Sequence, residues 1–532
     1  MTEFGMCDEE AERELGLSGG KEQETPQDED PEDILESLRD LFYEEDEPEA
    51  VVYGPLGHPF YTVSCPFVWP DLPFIDEFGS LANVLGCVYL SKEGLEWDMF
   101  CYSVHFAWVN ARMGMQQVAL EQLRVCEKRL YESDDDFYVD IMDGLTHCIQ
   151  ASRAHVYFLK GYVEMADEAI AKVFPLEELN SPSKAALIAV HASVIGDFHR
   201  SHRELALDMM RKAIKLDPDD QGKRRGLWYY RVGKILGELR RMDHRAGMPS
   251  KEELEMLERA TKVNPFPSSL AALADAYRDD VQYMKVSSSW RLTKEVYAKM
   301  LSTAEHLYKK AYEMDSDDIE VLRRCGNGLM KLPPPYRDIP FAKTCLEKAI
   351  QADPHSITAF QALGTLEDRY NKNPKEALKY YKKSYENGNQ ISALFILEAQ
   401  MKTEENYDPL PHIDEFIGNL DKEGMPLRSE LLILKGEYAL FHRNDLISAA
   451  TFWKEAISLG PKSENIKNHT TRFLMERRYE KPYMRFAGRR FTFNVCDCLR
   501  HEIRNALRES KYSSEDEVFL KEMENYLRKI CR

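Results

Sequence analysis

The sequence predicts an all-α protein in which stacked helix pairs wind into a right-handed superhelix, with capping helices at both ends. Three observations carry that expectation. A spacing of small, aromatic and proline residues recurs at intervals of about 34 residues, which marks a repeat array. Of the 532 residues, 43% are hydrophobic and 11% aromatic, enough apolar surface for a core and too much for a wholly disordered chain. No run of roughly 18 apolar residues occurs, so no membrane span is expected.

The repeat phrase is clearest between residues 342 and 384. Ala342, Leu346, Ala349 and Pro354 mark a second helix and the turn after it, Phe360, Leu363 and Gly364 the next first helix, and Ala377, Tyr381 and Ser384 its partner. Small residues let helix backbones approach, residues three or four apart share a face, and proline cannot donate the bond that would continue the helix. This is the tetratricopeptide type of pairing. Met210, Ala213 and Pro218 repeat the phrase, as do Leu257, Ala260 and Pro265. Ala304, Tyr308 and Ala311 form a second helix without the proline, after a first helix marked by Leu273, Ala274 and Tyr277. Phe106 and Ala107 precede Ala119, Leu123 and Cys126, Ala154 and Tyr157 precede Ala166 and Ile170, and Gly436 precedes Ala449, Trp453, Ala456 and Pro461. The spacing gives about nine pairs, weakest near residues 391–421.

Four regions follow. Residues 1–50 hold 20 Asp and Glu against Arg13, Lys21 and Arg39, so they carry −17 of the total charge of −21 and read as an acidic, solvated tail. Residues 51–96, rich in proline and aromatics, read as an N-terminal cap, 97–464 as the repeat superhelix, and 465–532 as a basic and aromatic segment followed by capping helices. Two insertions break the period. Residues 279–300 are expected to lengthen the connection between Tyr277 and Ala304, and residues 332–340, with Pro333-Pro-Pro335 and Pro340, to form a stiff loop that forbids helix. The 11 cysteines are odd in number and irregular in spacing, as reduced thiols of a cytoplasmic protein would be.

No phosphate-binding glycine loop, nucleophile elbow or His-Glu-x-x-His stands in the chain, and no cofactor or metal is implied. His199 and His202 share a helical spacing, but no third and fourth ligand accompany them. The chain therefore reads as a binding scaffold and not an enzyme. Cations interleaved with aromatics are more selective. Arg472 to Arg490 holds seven cations with Phe473, Tyr479, Tyr483 and Phe486, the combination that neutralises phosphates and stacks on unpaired bases, or else a solvated face answering the acidic tail. Within Lys223 to Arg241, Arg231, Lys234 and Arg240 recur at helical spacing and are candidates for the inner wall. In Leu322 to Lys331, Leu322, Cys325, Gly326 and Leu329 take the packing face, leaving Arg323 and Asn327 beside it.

In the order of these features the chain resembles the interferon-induced proteins with tetratricopeptide repeats. Cys65-Pro-Phe-Val-Trp-Pro-Asp-Leu72 stands where that family has Cys-His-Phe-Thr-Trp-Asn-Leu, and Val118-Ala-Leu-Glu-Gln-Leu123 where it has Ala-Leu-Glu-Cys-Leu. Arg153-Ala-His-Val-Tyr-Phe-Leu-Lys160 parallels Tyr-Ala-Trp-Val-Tyr-Tyr-His-Met, and Val321-Leu-Arg323 with Glu347-Lys-Ala-Ile350 parallels the central Val-Leu-Arg and Lys-Lys-Ala-Leu. The resemblance implies a cytoplasmic antiviral protein of innate immunity, whose basic channel sequesters single-stranded RNA by a 5′-triphosphate or cap. By position, Arg323 matches the family's phosphate-contacting arginine, Arg240 another inward arginine, and Lys331 the place of a basic run. The family's Gly-Trp-x-x-Leu-Lys falls near Ala192–Phe198 and is absent, so His199, Arg200 or Arg203 would have to supply that cation. The alternative is a scaffold for a protein or peptide partner, such as a chaperone or degradation adaptor, or for a second copy of the chain.

Overall fold

The computed structural model describes residues 64–69 and 96–530, apart from 199, 218–221, 243–246, 287–293, 421–424, 462, 474–480, 482, 488–489 and 510–511. The acidic tail and most of the expected N-terminal cap lie outside these residues, as does His199. The chain divides into two units, Met1–Asp220 and Gln221–Arg532.

In the first unit three helix pairs stack: α1 (Trp97–Arg112) with α2 (Gln116–Glu132), α3 (Met142–Leu159) with α4 (Val163–Ile170), and α5 (Ser181–Phe198) with α6 (Arg203–Leu216). Helix α5 is apolar all round, with Ala185 to Gly196 buried without interruption, because it packs on α1, α3 and α6 at once. Against this core lies the segment Ser64–Trp69, held by three histidines. His147 takes the Ser64 N–H on Nε2 at 2.8 Å, while its Nδ1 lies 2.7 Å from the Phe174 carbonyl, a geometry that fits the neutral ring protonated on Nδ1. Phe67 stacks on His155 with centroids 5.2 Å apart, and Trp69 on His191 at 4.1 Å, its indole donating to Ser64 Oγ at 3.1 Å. Burial pushes the imidazoles of His147 and His155 down to about 4 and that of His191 to about 3. Cys65 is fully buried in the same place, and burial raises its thiol to about 12.

The second unit holds six pairs: α7 (Lys223–Met242) with α8 (Lys251–Val263), α9 (Pro267–Val286) with α10 (Lys294–Met314), α11 (Ile319–Lys331) with α12 (Ile339–Ala352), α13 (Ile357–Arg369) with α14 (Pro374–Glu386), α15 (Ser392–Thr403) with α16 (Leu410–Gly418), and α17 (Met425–Phe441) with α18 (Leu446–Leu459). Side-chain caps start many of them. Asp318, Asp338, Asn373 and Asp445 each accept the N–H three residues on, and Ser250 does the same for Glu253. Glycine on a first helix admits a ring from its partner: a Cβ on Gly364 would stand 2.5 Å from Tyr381 Cε1, and one on Gly436 would strike the Trp453 indole, whose N–H donates to the Ile433 carbonyl at 2.9 Å. Successive first helices α7, α9, α11 and α13 also touch one another, which makes them the inner, shorter layer of the stack.

Two expectations are corrected. Residues 279–286 and 294–300 do not form a connection but extend α9 and α10, of 20 and 21 residues, because Asp279 to Val281 and Leu301 continue the packing faces already set by Tyr277 and Ala304. Pro340 does not forbid helix, since it sits in the first turn of α12, where its missing N–H has no intrahelical partner to lose. The C-terminal segment also holds a small sheet. After α19 (Glu464–Lys467), strands β1 (His469–Thr470), β2 (Arg485–Ala487) and β3 (Arg490–Phe493) form an antiparallel sheet in the order β1-β3-β2, before α20 (Val495–Glu509) and α21 (Ser514–Ile530) cover α18. Phe491 and Phe493 point into the core between Arg490 and Thr492. Tyr483 and Phe473 likewise pack inward and offer no exposed stacking platform.

Two measurements follow from this packing. Gly364→Val forces the Tyr381 ring aside and lowers unfolding free energy by about 1–3 kcal/mol, read as a fall in the urea midpoint. For the histidines, the unfolded imidazole takes up a proton near pH 6.5 and the folded one near 4, so stability is unaffected above about 6.5 and falls as the pH drops through that window, levelling off below it. Each contributes roughly 1 kcal/mol per pH unit, and His155→Phe, which keeps the stack on Phe67, removes one such share from the slope of thermal stability between about pH 6.5 and 4.5.

Candidate functional site

The inner layer of the second unit gathers charge. Asp275 and Asp279 lie one turn apart on α9, and Arg278 between them bonds both: Nη1 to Asp275 Oδ1 at 2.7 Å and Nη2 to Asp279 Oδ1 at 2.7 Å. Tyr308, reaching across from α10, donates its hydroxyl to Asp275 at 2.6 Å and accepts from Arg278 at 3.0 Å. Arg324 of α11 approaches Asp275 at 3.9 Å while bonding Glu320 at 2.9 Å. Burial works against the Asp275 charge, but the guanidiniums of Arg278 and Arg324 outweigh it and hold the carboxyl below its usual range. Asp280 is different: burial raises its carboxyl to about 6, against the pull of Arg240.

Arg240 ties α7 to its neighbours, with Nε and Nη2 on Glu253 at 3.0 Å and Nη2 on Asp279 at 3.1 Å. Only 10% of the Arg240 side chain and 2% of that of Glu253 are exposed. Lys331 at the end of α11 and Arg241 at the end of α7 reach solvent, yet their charges are desolvated by the surrounding protein and both are pushed below the usual range. For Lys331 the Arg278 charge adds to that effect, and for Arg241 Asp275 opposes it.

The expected residues are placed as follows. Lys331 stands exposed at the end of α11, and Arg240 is held by Glu253 and Asp279. Arg323 does not reach α9, and both its bonds go to Glu320 on its own helix, at 2.9 and 2.5 Å. Arg231 is buried on α7, at 2% exposure. Lys234 is half-buried on the same helix. Arg203 lies in the first unit, where its Nε donates to the Gly196 carbonyl at 3.2 Å and closes the turn from α5 to α6. Sequence reasoning missed Arg278, Arg324, Arg241 and Asp275. The signal for Arg324 was its seven-residue spacing from Lys331, two helical turns along one stripe.

No family model and no curated protein matches the sequence. Solved structures do. A human IFIT1 dimer with PPP-AAAA aligns at a TM-score of 0.58 and 13% identity, over 88% of this chain and 94% of that one. The IFIT1 dimer with m7Gppp-AAAA aligns at 0.59 and 14%, over 87% and 94%.

The fold is IFIT-like.

In this stack the first helices touch one another and carry most of the site, with Tyr308 and Glu253 reaching in from second helices. Within that layer the arginines of this chain come with their own carboxylates, which satisfies guanidiniums that would otherwise be buried with unspent donors. Arg240 and Arg323 thereby take opposite parts in stability. Arg240→Gln leaves Glu253 charged and buried, and costs about 3 kcal/mol or more. Arg323→Gln breaks an exposed pair and costs under about 1 kcal/mol. Urea unfolding of both variants distinguishes the two.

Proposed function

We propose that the chain binds single-stranded RNA by its 5′-phosphate end on the first-helix wall of the second unit, and acts in the cytoplasm by sequestering that RNA in the antiviral manner, without catalysis. The observation that carries this reading is the gathering of Arg278, Arg324, Arg241 and Lys331 around Asp275, with Lys331 and Arg241 reachable from solvent and already desolvated. Cations in a concave, partly desolvated wall attract a polyanion more strongly than the same cations on an open surface. A terminal triphosphate concentrates more charge than any internal phosphodiester, so a wall of this kind prefers the end. The IFIT1 structures of the same fold hold PPP-AAAA and m7Gppp-AAAA.

Asp275, Asp279 and Glu320 temper that attraction, because the entering phosphate must share guanidiniums they already hold. The same carboxylates favour a second reading, a peptide of mixed charge on the wall. No helix among the described residues is long and apolar enough to cross a membrane.

Fluorescence anisotropy with 5′-triphosphate and 5′-hydroxyl forms of one short RNA separates the readings. The triphosphate form binds more tightly, and Lys331→Glu weakens it by about tenfold or more while lowering the slope of log affinity against log salt by about 1. Arg323→Glu has the smaller effect, since its guanidinium is turned to Glu320. Equal, weak binding of both RNAs would overturn the proposal.

A further inference from the structure

The basic stretch from Arg472 to Arg490 is not spread along a nucleic-acid groove. Its first and last cations converge on one buried carboxylate, Glu398 of α15: Arg490 Nη2 at 2.5 Å and Arg472 Nη1 at 3.6 Å, with Lys402 on the same carboxylate at 2.9 Å. Burial works against the charge of Glu398, and Arg490, Lys402 and Arg472 outweigh it, holding the carboxyl below its usual range. Arg472 also bonds Glu430 of α17 at 3.0 Å and lies over the Phe395 ring at 5.4 Å.

Beside this junction is a cavity of about 220 Å³, lined by Arg472 and Arg490 together with Asn465, Asn468, Thr470 and Glu430. A clamp fastening the sheet to α15 needs only the groups that touch Glu398. More is present. Nε and Nη1 of Arg490 have no partner among the described residues, nor do the side chains of Asn465 and Thr470. The strand register places Arg490 opposite Ala487 on β2, with its neighbour Phe491 locked in the core, so its guanidinium is held on the cavity side of β3. Two guanidiniums and the exposed side chains of Asn465 and Thr470 thus border one space, with Glu430 the carboxylate in its lining.

We propose that this cavity binds a phosphate group, carried either by a free nucleotide or by an internal phosphodiester of RNA. A carboxylate offers two coplanar acceptor oxygens, and Glu398 and Glu430 already fill that part for the guanidinium edges. The tetrahedral phosphate offers acceptors in three or four directions, which matches donors from β3, the end of β1 and α19. The site is separate from the first-helix wall around Asp275 and stands whether or not that wall takes an RNA end.

The test titrates the full chain with AMP and with a 5′-hydroxyl tetra-adenylate, which has internal phosphates only, by calorimetry at about 50 mM salt, where phosphate contacts are strongest. Asn465→Asp is the deciding variant, because it adds a carboxylate to the cavity wall and leaves every ion pair on Glu398 in place. It lowers affinity by about tenfold, the weight of one charge-assisted hydrogen bond. Arg490→Gln gives a loss at least as large, with thermal unfolding recorded alongside. A loss confined to AMP identifies a nucleotide pocket, and a loss confined to the tetra-adenylate identifies a backbone contact; either supports phosphate binding. Affinities for both probes that do not respond to Asn465→Asp, or no binding of either by the unaltered chain, overturn it. Discrimination between triphosphate and hydroxyl RNA ends, measured in the same Asn465→Asp protein, stays as in the parent, so failure here and failure of the first-helix site are read separately.

Discussion

Tyr308 joins the packing of the second unit to its charge. Its ring lies in the space that a side chain at Gly328 would fill, so α10 and α11 can approach only because that position is glycine. Its hydroxyl, carried by the same ring to the far side of the interface, holds Asp275 and Arg278. Were the helices spaced further apart, the hydroxyl would fall short and two buried charges would lose their common partner. The geometry of the wall therefore depends on a contact that looks purely steric.

Placing charges on an inner wall has a cost that the structure meets repeatedly in one way. Arg240 is answered by Glu253 and Asp279, Arg278 by Asp275 and Asp279, and Arg490 by Glu398. Guanidinium suits this use because its fork can bond a carboxylate on one edge and keep other N–H groups spare. Net charge conceals the arrangement. The total of −21 is set largely by residues 1–50, and the rest of the chain stands at −4, so cationic stations and their carboxylates coexist inside a formally acidic protein.

The helix-pair class was legible because each pair writes its contact locally: Gly364 and Tyr381 are close in sequence, and their spacing is the packing rule itself. Arg240 and Lys331 stood out in the sequence as cations, but the direction each takes did not. Adjacent residues on a helix diverge by about 100°, so choosing Arg323 over Arg324 reverses the answer, and only the neighbouring helix decides between them. Asp275 carried no signal in a chain with 91 acidic residues. The sheet was missed for another reason. Arg490-Phe-Thr-Phe493 alternates with the period of a strand, but it is four residues long and follows a stretch whose cations drew a helical or solvated reading.

The thiols acquire a use from their burial. Cys65 and Cys126 in the first unit, like Cys345 in the second, are raised to about 12 by burial, and burial raises Cys101, Cys148 and Cys498 as well. A thiol so desolvated is not a nucleophile until the helices around it part. Alkylation at each of these cysteines is thus a clock on local opening, and since both units hold their own set, the two can be timed independently in one undivided chain.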